Sequence, residues 1–175
     1  NYEEKLLSGS GDKTIKLWDL HTKKLIKTFE GHRGLIFNIT FNQDGTEFLS
    51  ASWDATVKRW DVETGKCLAT YNFDKFSPFS ISYTPNDLYF LTGTLGKKME
   101  LWEMDTKEKV KDWVGHSHIT QSLVWNKSKS KIISASWDYS LRLWDWKTGL
   151  QVQKFKGHTQ KVHKAIFSTD EKKII

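Results

Sequence analysis

Two stretches of the chain share one pattern: residues 50–61 read SASWDATVKRWD, and residues 134–145 read SASWDYSLRLWD. The pattern ends in a tryptophan followed by an acidic residue, and it recurs every 42 residues at Trp18, Trp60, Trp102 and Trp144. A fixed period of roughly 20–50 residues is typical of repeat architectures. The chain is therefore predicted to consist of one supersecondary unit that is repeated along its length.

Each repeat contains four short runs typical of β-strands. Residues 36–41 and 46–52 are rich in β-branched and aromatic residues, and the turn at residues 42–45 separates them. Residues 56–60 and 67–71 form two further runs, and no helical period of comparable length is present. Four-stranded antiparallel sheets that repeat around an axis form a β-propeller, so an all-β fold is expected.

Polar residues recur in the same register. Six residues before each Trp stand Asp12, Asp54, Gly96 and Asp138. Four residues earlier stand Ser8, Ser50, Thr92 and Ser134. A Gly-His pair opens three repeats at 31–32, 115–116 and 157–158, whereas Phe73-Asp74 takes that place in the fourth.

These residues resemble the WD-repeat family, whose blades carry Gly-His near the start, a turn Asp, and Trp-Asp at the end. The resemblance covers essentially the whole chain. It implies a β-propeller in which Asp, His, Ser and Trp of one blade form a hydrogen-bond chain. The complete sets are His32, Ser50, Asp54 and Trp60, and His116, Ser134, Asp138 and Trp144. The partial sets are Ser8, Asp12 and Trp18, then Thr92 and Trp102, and finally His158.

A Ser, His and Asp could also form a hydrolase triad, which is the alternative interpretation of these positions. The set occurs twice in identical register, and an active site is rarely built twice in this way. A structural role is therefore favoured, and no enzyme activity is expected. The third repeat has Asp74 and Gly96 in place of His and Asp, so the polar chain is expected to be absent there.

The 42-residue register predicts one propeller segment over residues 1–175. It divides into a partial blade at 1–30, a blade at 31–72, a degenerate blade at 73–114, a blade at 115–156 and a partial blade at 157–175. A closed ring of these blades would have to place the second strand of one blade twice. About four blades of a larger ring, of about seven blades as in most relatives, are therefore expected.

Composition narrows the class of protein. The chain is 38% hydrophobic and 27% charged, an ordinary globular balance, and the single Cys67 excludes an internal disulfide. No apolar run suggests a signal peptide or a membrane span, so an intracellular protein, cytoplasmic or nuclear, is expected. No metal-ligand spacing and no phosphate-binding loop is found, so no metal, cofactor or small-molecule substrate is expected.

With catalysis and small-molecule binding not expected, the protein is predicted to bind other proteins. It is expected to be a scaffold within a multi-subunit assembly. In related propellers the turns before each Asp lie on one face of the ring, and here they carry Trp53 and Trp137. Positions that by analogy line the rim of the channel carry Phe37, Phe79, Gln121 and His163. Exposed aromatic rings are favoured interface anchors, although these rings could instead fold back on neighbouring loops.

Two further features leave alternatives open. The formal charge of +6 permits a ribonucleoprotein component that contacts RNA, and partial stretches are similar to two different subfamilies, splicing factors and ribosome-associated kinase receptors. No single member is assigned, because the two similarities conflict.

Arg59 stands where other repeats have leucine, and it is expected to reach solvent or a carboxylate.

Overall fold

The computed structural model describes residues 4–175, and these residues form an all-β chain of fifteen strands. The strands are β1 (Lys5–Gly9), β2 (Ile15–Asp19), β3 (Leu25–Phe29), β4 (Ile36–Phe41), β5 (Glu47–Ser52), β6 (Thr56–Asp61), β7 (Cys67–Asn72), β8 (Pro78–Tyr83), β9 (Tyr89–Thr94), β10 (Lys98–Glu103), β11 (Lys109–Val114), β12 (Thr120–Trp125), β13 (Lys131–Ser136), β14 (Ser140–Asp145) and β15 (Gln151–Lys156). No helix in this part of the chain is long and apolar enough to cross a membrane.

The strands form antiparallel sheets in chain order. The described residues contain one three-stranded sheet, β1-β2-β3, and three four-stranded sheets, β4 to β7, β8 to β11 and β12 to β15. The predicted strands at 36–41, 46–52, 56–60 and 67–71 are confirmed to within one residue at each end. Equivalent strands of the complete sheets recur every 42 residues, so each sheet is one copy of the same hydrogen-bonded meander.

The sheets stand side by side as the blades of an open arc. The inner strands β4, β8 and β12 contact one another in that order, and β1, which matches β5 in the 42-residue register, contacts β4. The second strand of each complete blade, β5, β9 or β13, is buried along nearly its whole length. This burial explains why these strands carry small or apolar residues on both faces, since a neighbouring blade covers each side.

Apolar clusters lie between the blades. One cluster joins Leu49, Val57 and Tyr71 of the second sheet to Phe90 and Met104 of the third. Burial of a large apolar side chain stabilises the fold by about 1.5–3 kcal/mol. Each blade is therefore held mainly by packing against its neighbours.

The turn between the second and third strands of each complete blade has an unusual backbone. The residue after the turn Asp, or after Gly96, has a left-handed conformation, with φ of 59° at Ala55, 67° at Lys97 and 65° at Tyr139. Lys13 has φ of 73° at the matching place in the first sheet. This conformation suits a tight hairpin, and the residue before the turn Asp, such as Trp53, stands at the end of its strand with 55% exposure.

Residues 157–175 contain no regular strand. Phe167 and Ile174 form an isolated antiparallel bridge, and Ile166 and Ile175 exchange two backbone hydrogen bonds of 2.9 Å. This short hairpin packs against the last complete blade through Phe167 and Ile174.

Candidate functional site

Two complete hydrogen-bond chains run through the second and fourth blades. His32 lies 2.8 Å from Asp54 through Nδ1 and 2.7 Å from Ser50 through Nε2, and the Trp60 indole donates to Ser50 Oγ at 2.8 Å. The fourth blade repeats this chain, with the corresponding distances of 2.9, 2.7 and 2.8 Å among Asp138, His116, Ser134 and Trp144. The structure thus brings both predicted sets together in the predicted order.

The aspartate joins two parts of its blade. Asp54 Oδ1 accepts from the backbone and hydroxyl of Thr56 at 3.0 and 2.6 Å, which closes the turn. Its Oδ2 accepts from His32 and from the backbone N–H of Arg33 at 2.7 Å. A single carboxylate therefore fixes both the tight turn and the loop that enters the blade.

Burial favours the neutral imidazole in each hydrogen-bond chain. A carboxylate only accepts hydrogen bonds, so Nδ1 of His32 donates to Asp54, and in the neutral ring Nε2 accepts from the Ser50 hydroxyl. Burial lowers the pKa of His32 and of His116, and this effect exceeds the opposing attraction of the aspartates. The pKa of Asp54 is lowered, since hydrogen bonds from Thr56, Arg33 and His32 together outweigh the opposing effect of burial.

The glycine before each of these histidines gives the tryptophan ring its space. A Cβ at Gly115 would lie 2.7 Å from Cη2 of Trp144, and a Cβ at Gly31 would lie 3.3 Å from Cη2 of Trp60, where φ is also positive at 142°. The third blade has Phe73 at this position instead, and its ring packs against Trp102 with centroids 4.8 Å apart. Glycine is therefore favoured before the histidine where the polar chain forms.

The first partial set forms one hydrogen bond of the Asp-His-Ser-Trp chain. The Trp18 indole donates to Ser8 Oγ at 2.8 Å, while Asp12 is exposed and holds only its own turn through Thr14. His158 is exposed.

In the third blade the hydrogen-bond chain of Asp, His, Ser and Trp is absent. Thr92 Oγ1 is buried without a hydrogen-bond partner in residues 4–175, and the Trp102 indole donates to Glu100 Oε2 at 3.1 Å instead.

A second cluster consists of aromatic rings at the blade ends. Phe37 and Phe79 stack with centroids 4.0 Å apart, and Trp53 lies 5.5 Å from Phe37 and 6.3 Å from Phe79. Trp137 continues the row at 6.0 Å from Phe79, and His163 lies 6.4 Å from Trp137. We call these five residues the aromatic face. It spans the second, third and fourth blades and reaches residues 157–175 through His163.

Exposure differs sharply within the aromatic face. Trp53 is 55% exposed, whereas Phe79 is 6% exposed. The expectation that Phe79 is an exposed rim residue is therefore wrong, because Phe37, Trp53 and Trp137 surround its ring. Phe37 and Trp137 are half-buried and His163 is exposed, so Phe79 forms the floor of this surface.

Two buried polar atoms near the blade ends lack partners. Among the described residues, nothing hydrogen-bonds Trp137 Nε1 or Oε1 of the half-buried Gln121. Buried polar groups are normally paired, and an unpaired one costs about 1–3 kcal/mol. The indole N–H of Trp137 is therefore a donor without an acceptor, and the amide oxygen of Gln121 is an acceptor without a donor.

Sequence reasoning missed two members of this surface. The ring of His118 lies 5.7 Å from Trp137, and Lys161 Nζ lies 3.9 Å from the centroid of the same ring. The 42-residue register places His118 at the position of Gly34, and Gly34 lies against Trp53, where a Cβ would be 3.1 Å from Cβ of Trp53. A side chain at this position is therefore expected beside the turn tryptophan. For Lys161 the sequence offered no comparable signal.

Arg59 meets two carboxylates. Its guanidinium binds Glu47 through Nε at 2.5 Å and Nη2 at 3.0 Å, and Nη1 lies 3.4 Å from Asp105 of the next blade. Hydrogen bonding to Glu47 raises the pKa of Arg59, although burial opposes it. The side chain therefore links the second and third blades.

No group of three or more His, Cys, Asp and Glu side chains in residues 4–175 is arranged to hold a metal ion. Comparison with protein families gives a match. The family described as WD domain, G-beta repeat, matches residues 1–19, 23–61 and 107–145. These segments cover more than half of the chain and include Trp18, Trp60 and Trp144. Most of the third blade, where the polar chain is absent, lies outside them.

Proposed function

Because the chain belongs to the WD-repeat family, we propose that it is a non-enzymatic scaffold that binds other proteins through its aromatic face. WD-repeat proteins typically act by binding other proteins, and they are typically not enzymes. The exposed ring of Trp53 is the observation that carries the proposal. A large aromatic ring that stays 55% exposed above Phe37 and Phe79 is of the type that anchors protein interfaces.

The shape of the surface supports protein binding. Rings from three blades form one continuous row, and the buried Phe79 holds the row rigid from beneath. A preorganised surface loses little side-chain entropy on binding.

The buried polar chains support a structural role for His32 and His116. Ser50 and Ser134, the only possible nucleophiles of these chains, are fully buried and hydrogen-bonded to a histidine and an indole. A nucleophile has to reach its substrate, and these hydroxyls have no open path to solvent. The chains therefore serve to fix the blades that carry the aromatic face.

Capture of partners under two sets of conditions tests the proposal. The immobilised chain would be incubated with lysate of its source cells, with and without nuclease, across a series of salt concentrations. A protein partner should survive nuclease treatment, and its retention should depend weakly on salt. Loss of all partners after nuclease treatment, or a steep salt dependence, would instead favour RNA binding driven by the basic charge.

A matched pair of variants locates the surface. Trp53→Ala should abolish or strongly weaken capture of the protein partner. Leu88→Ala is the control, because Leu88 is also 55% exposed but lies in the β8–β9 turn at the opposite end of the strands. Equal capture by both variants would place the binding surface elsewhere.

A further inference from the structure

The degenerate third blade contains a pocket of about 520 Å³. Its lining includes Asp74, Gly96 and Trp102, which occupy the His, Asp and Trp positions of the polar chain. In the second blade the imidazole of His32 and the carboxylate of Asp54 occupy this region. Replacement of that pair by the exposed Asp74 and by Gly96 leaves the space accessible. The volume falls within the range of ligand pockets, about 300–1,000 Å³.

One acidic side chain in this pocket breaks the pattern of the repeats. Glu100 stands where the other repeats have the basic residues Lys16, Lys58 and Arg142. Its carboxylate is half-buried and accepts a hydrogen bond from the uncharged Trp102 indole at 3.1 Å. Burial raises the pKa of Glu100, with Lys109 and the indole opposing that effect. The carboxylate is therefore a buried acceptor that a cationic ligand would stabilise.

Three lysines line the pocket: Lys75 is exposed, and the other two direct their charges to another carboxylate. Lys98 lies 2.6 Å and Lys109 lies 3.1 Å from oxygens of Asp112. These two ammonium groups are therefore engaged in ion pairs with Asp112. An anionic ligand would have to compete with Asp112 for them and would also face the charge of Glu100.

The remaining walls are aromatic. Phe73 packs against Trp102 with centroids 4.8 Å apart, and Phe76 is 46% exposed beside Gly96. Aromatic faces next to a carboxylate favour a flat, delocalised cation, because its charge meets the carboxylate while its plane stacks on a ring. The guanidinium of arginine has this shape and charge.

We propose that the pocket of the third blade binds an arginine side chain of a partner protein, with its guanidinium paired to Glu100 and stacked on the aromatic wall. This site is additional to the aromatic face and does not depend on it. The loss of the polar chain in this blade thereby creates a specificity pocket.

A peptide titration tests the proposal on the complete chain. The probe is the capped peptide acetyl-Gly-Arg-Gly-amide, followed by NMR through the indole N–H signal of Trp102. That signal should shift on titration, with a Kd in the millimolar range. The same peptide with citrulline is nearly isosteric but uncharged, and it should bind at least about tenfold more weakly.

Two variants complete the test. Glu100→Gln keeps the size of the side chain and should weaken arginine-peptide binding at least about tenfold, whereas Glu63→Gln on an exposed turn should leave it unchanged. Equal binding of the arginine and citrulline peptides would overturn the proposal, as would unchanged binding by Glu100→Gln. A shift of the Trp102 signal by inorganic phosphate but not by the arginine peptide would also overturn it. The peptide comparison needs only the unmodified chain, so it remains decisive if a variant fails to fold.

Discussion

Phe37 and Phe79 belong to different blades, yet their rings stack with centroids 4.0 Å apart and planes within 20°. The two residues occupy the same place in successive repeats, at the inner edge of the propeller. Their contact ties the second blade to the third and supports the exposed Trp53. The aromatic face thus combines residues that hold the blades together with residues that are free to bind.

Trp53 and Phe79 should therefore respond differently to truncation. Trp53→Ala and Trp137→Ala should each weaken binding of the captured protein by about 2 kcal/mol or more, as interface anchors do. Phe79→Ala should instead lower the free energy of unfolding by about 3–5 kcal/mol, because it empties a buried site. Titration calorimetry and urea unfolding measure the two quantities. If the Trp variants remain folded and bind normally, their rings are only loop packing.

Removal of a turn aspartate should reveal the contribution of the buried histidine. Asp54→Ala should lower the free energy of unfolding by about 1–3 kcal/mol more than Asp12→Ala. Both aspartates cap a turn through a threonine two residues later, but only Asp54 also holds a histidine. Urea unfolding of the two variants gives the difference directly. Equal losses would mean that the histidine bond adds nothing to stability.

Stability should fall as the pH is lowered from 7 to 5.5. Burial lowers the pKa of His32 and His116, so the unfolded chain takes up protons, at its ordinary pKa near 6.5, before the folded chain does. Each histidine can contribute a slope of up to about 1.4 kcal/mol per pH unit, and stability is lost toward acid. The lowered pKa values of Asp54 and Asp138 act only below their ordinary value of 3.8, outside this window.

The pH effect can be assigned with two variants. His116→Gln should reduce the slope of unfolding free energy against pH, whereas His158→Gln should leave it unchanged because that side chain is exposed. Glu100 has a raised pKa and acts in the opposite sense, so the comparison between variants isolates the histidine. A slope that His116→Gln does not alter would show that the imidazole is charged in the folded chain.

Arg59 should contribute more to the free energy of unfolding than an ordinary surface charge does. Arg59→Leu restores the residue of the other repeats, yet it should lower the free energy of unfolding by about 1–2 kcal/mol because Glu47, whose side chain is 20% exposed, loses its partner. Adding Glu47→Gln should recover part of this loss. Lys98→Met is the control, since its side chain is 46% exposed and Asp112 keeps Lys109; it should change stability by less than about 0.5 kcal/mol. A stable Arg59→Leu variant would mean that the bridge is energetically neutral.

The 42-residue repeat was enough to predict the fold and the members of the polar chains. It places Trp60 and Trp144 in equivalent strands, and each complete repeat forms its own hydrogen-bonded meander. Register is a local property, so the order Asp, His, Ser and Trp could be read from spacing and from the resemblance to known repeats.

The exposure of each aromatic ring and the contents of the third blade could not be predicted from the repeat, because both depend on packing between blades. Phe37 and Phe79 hold the same register position, yet one is half-buried and the other buried, because exposure depends on rings contributed by neighbouring blades. The ion pair of Arg59 with Glu47 and the carboxylate of Glu100 beside Trp102 likewise join residues whose proximity no spacing rule fixes. Packing between residues distant in sequence determines the burial and the hydrogen-bond partners of these side chains, and these in turn determine their pKa values and their exposure to a partner.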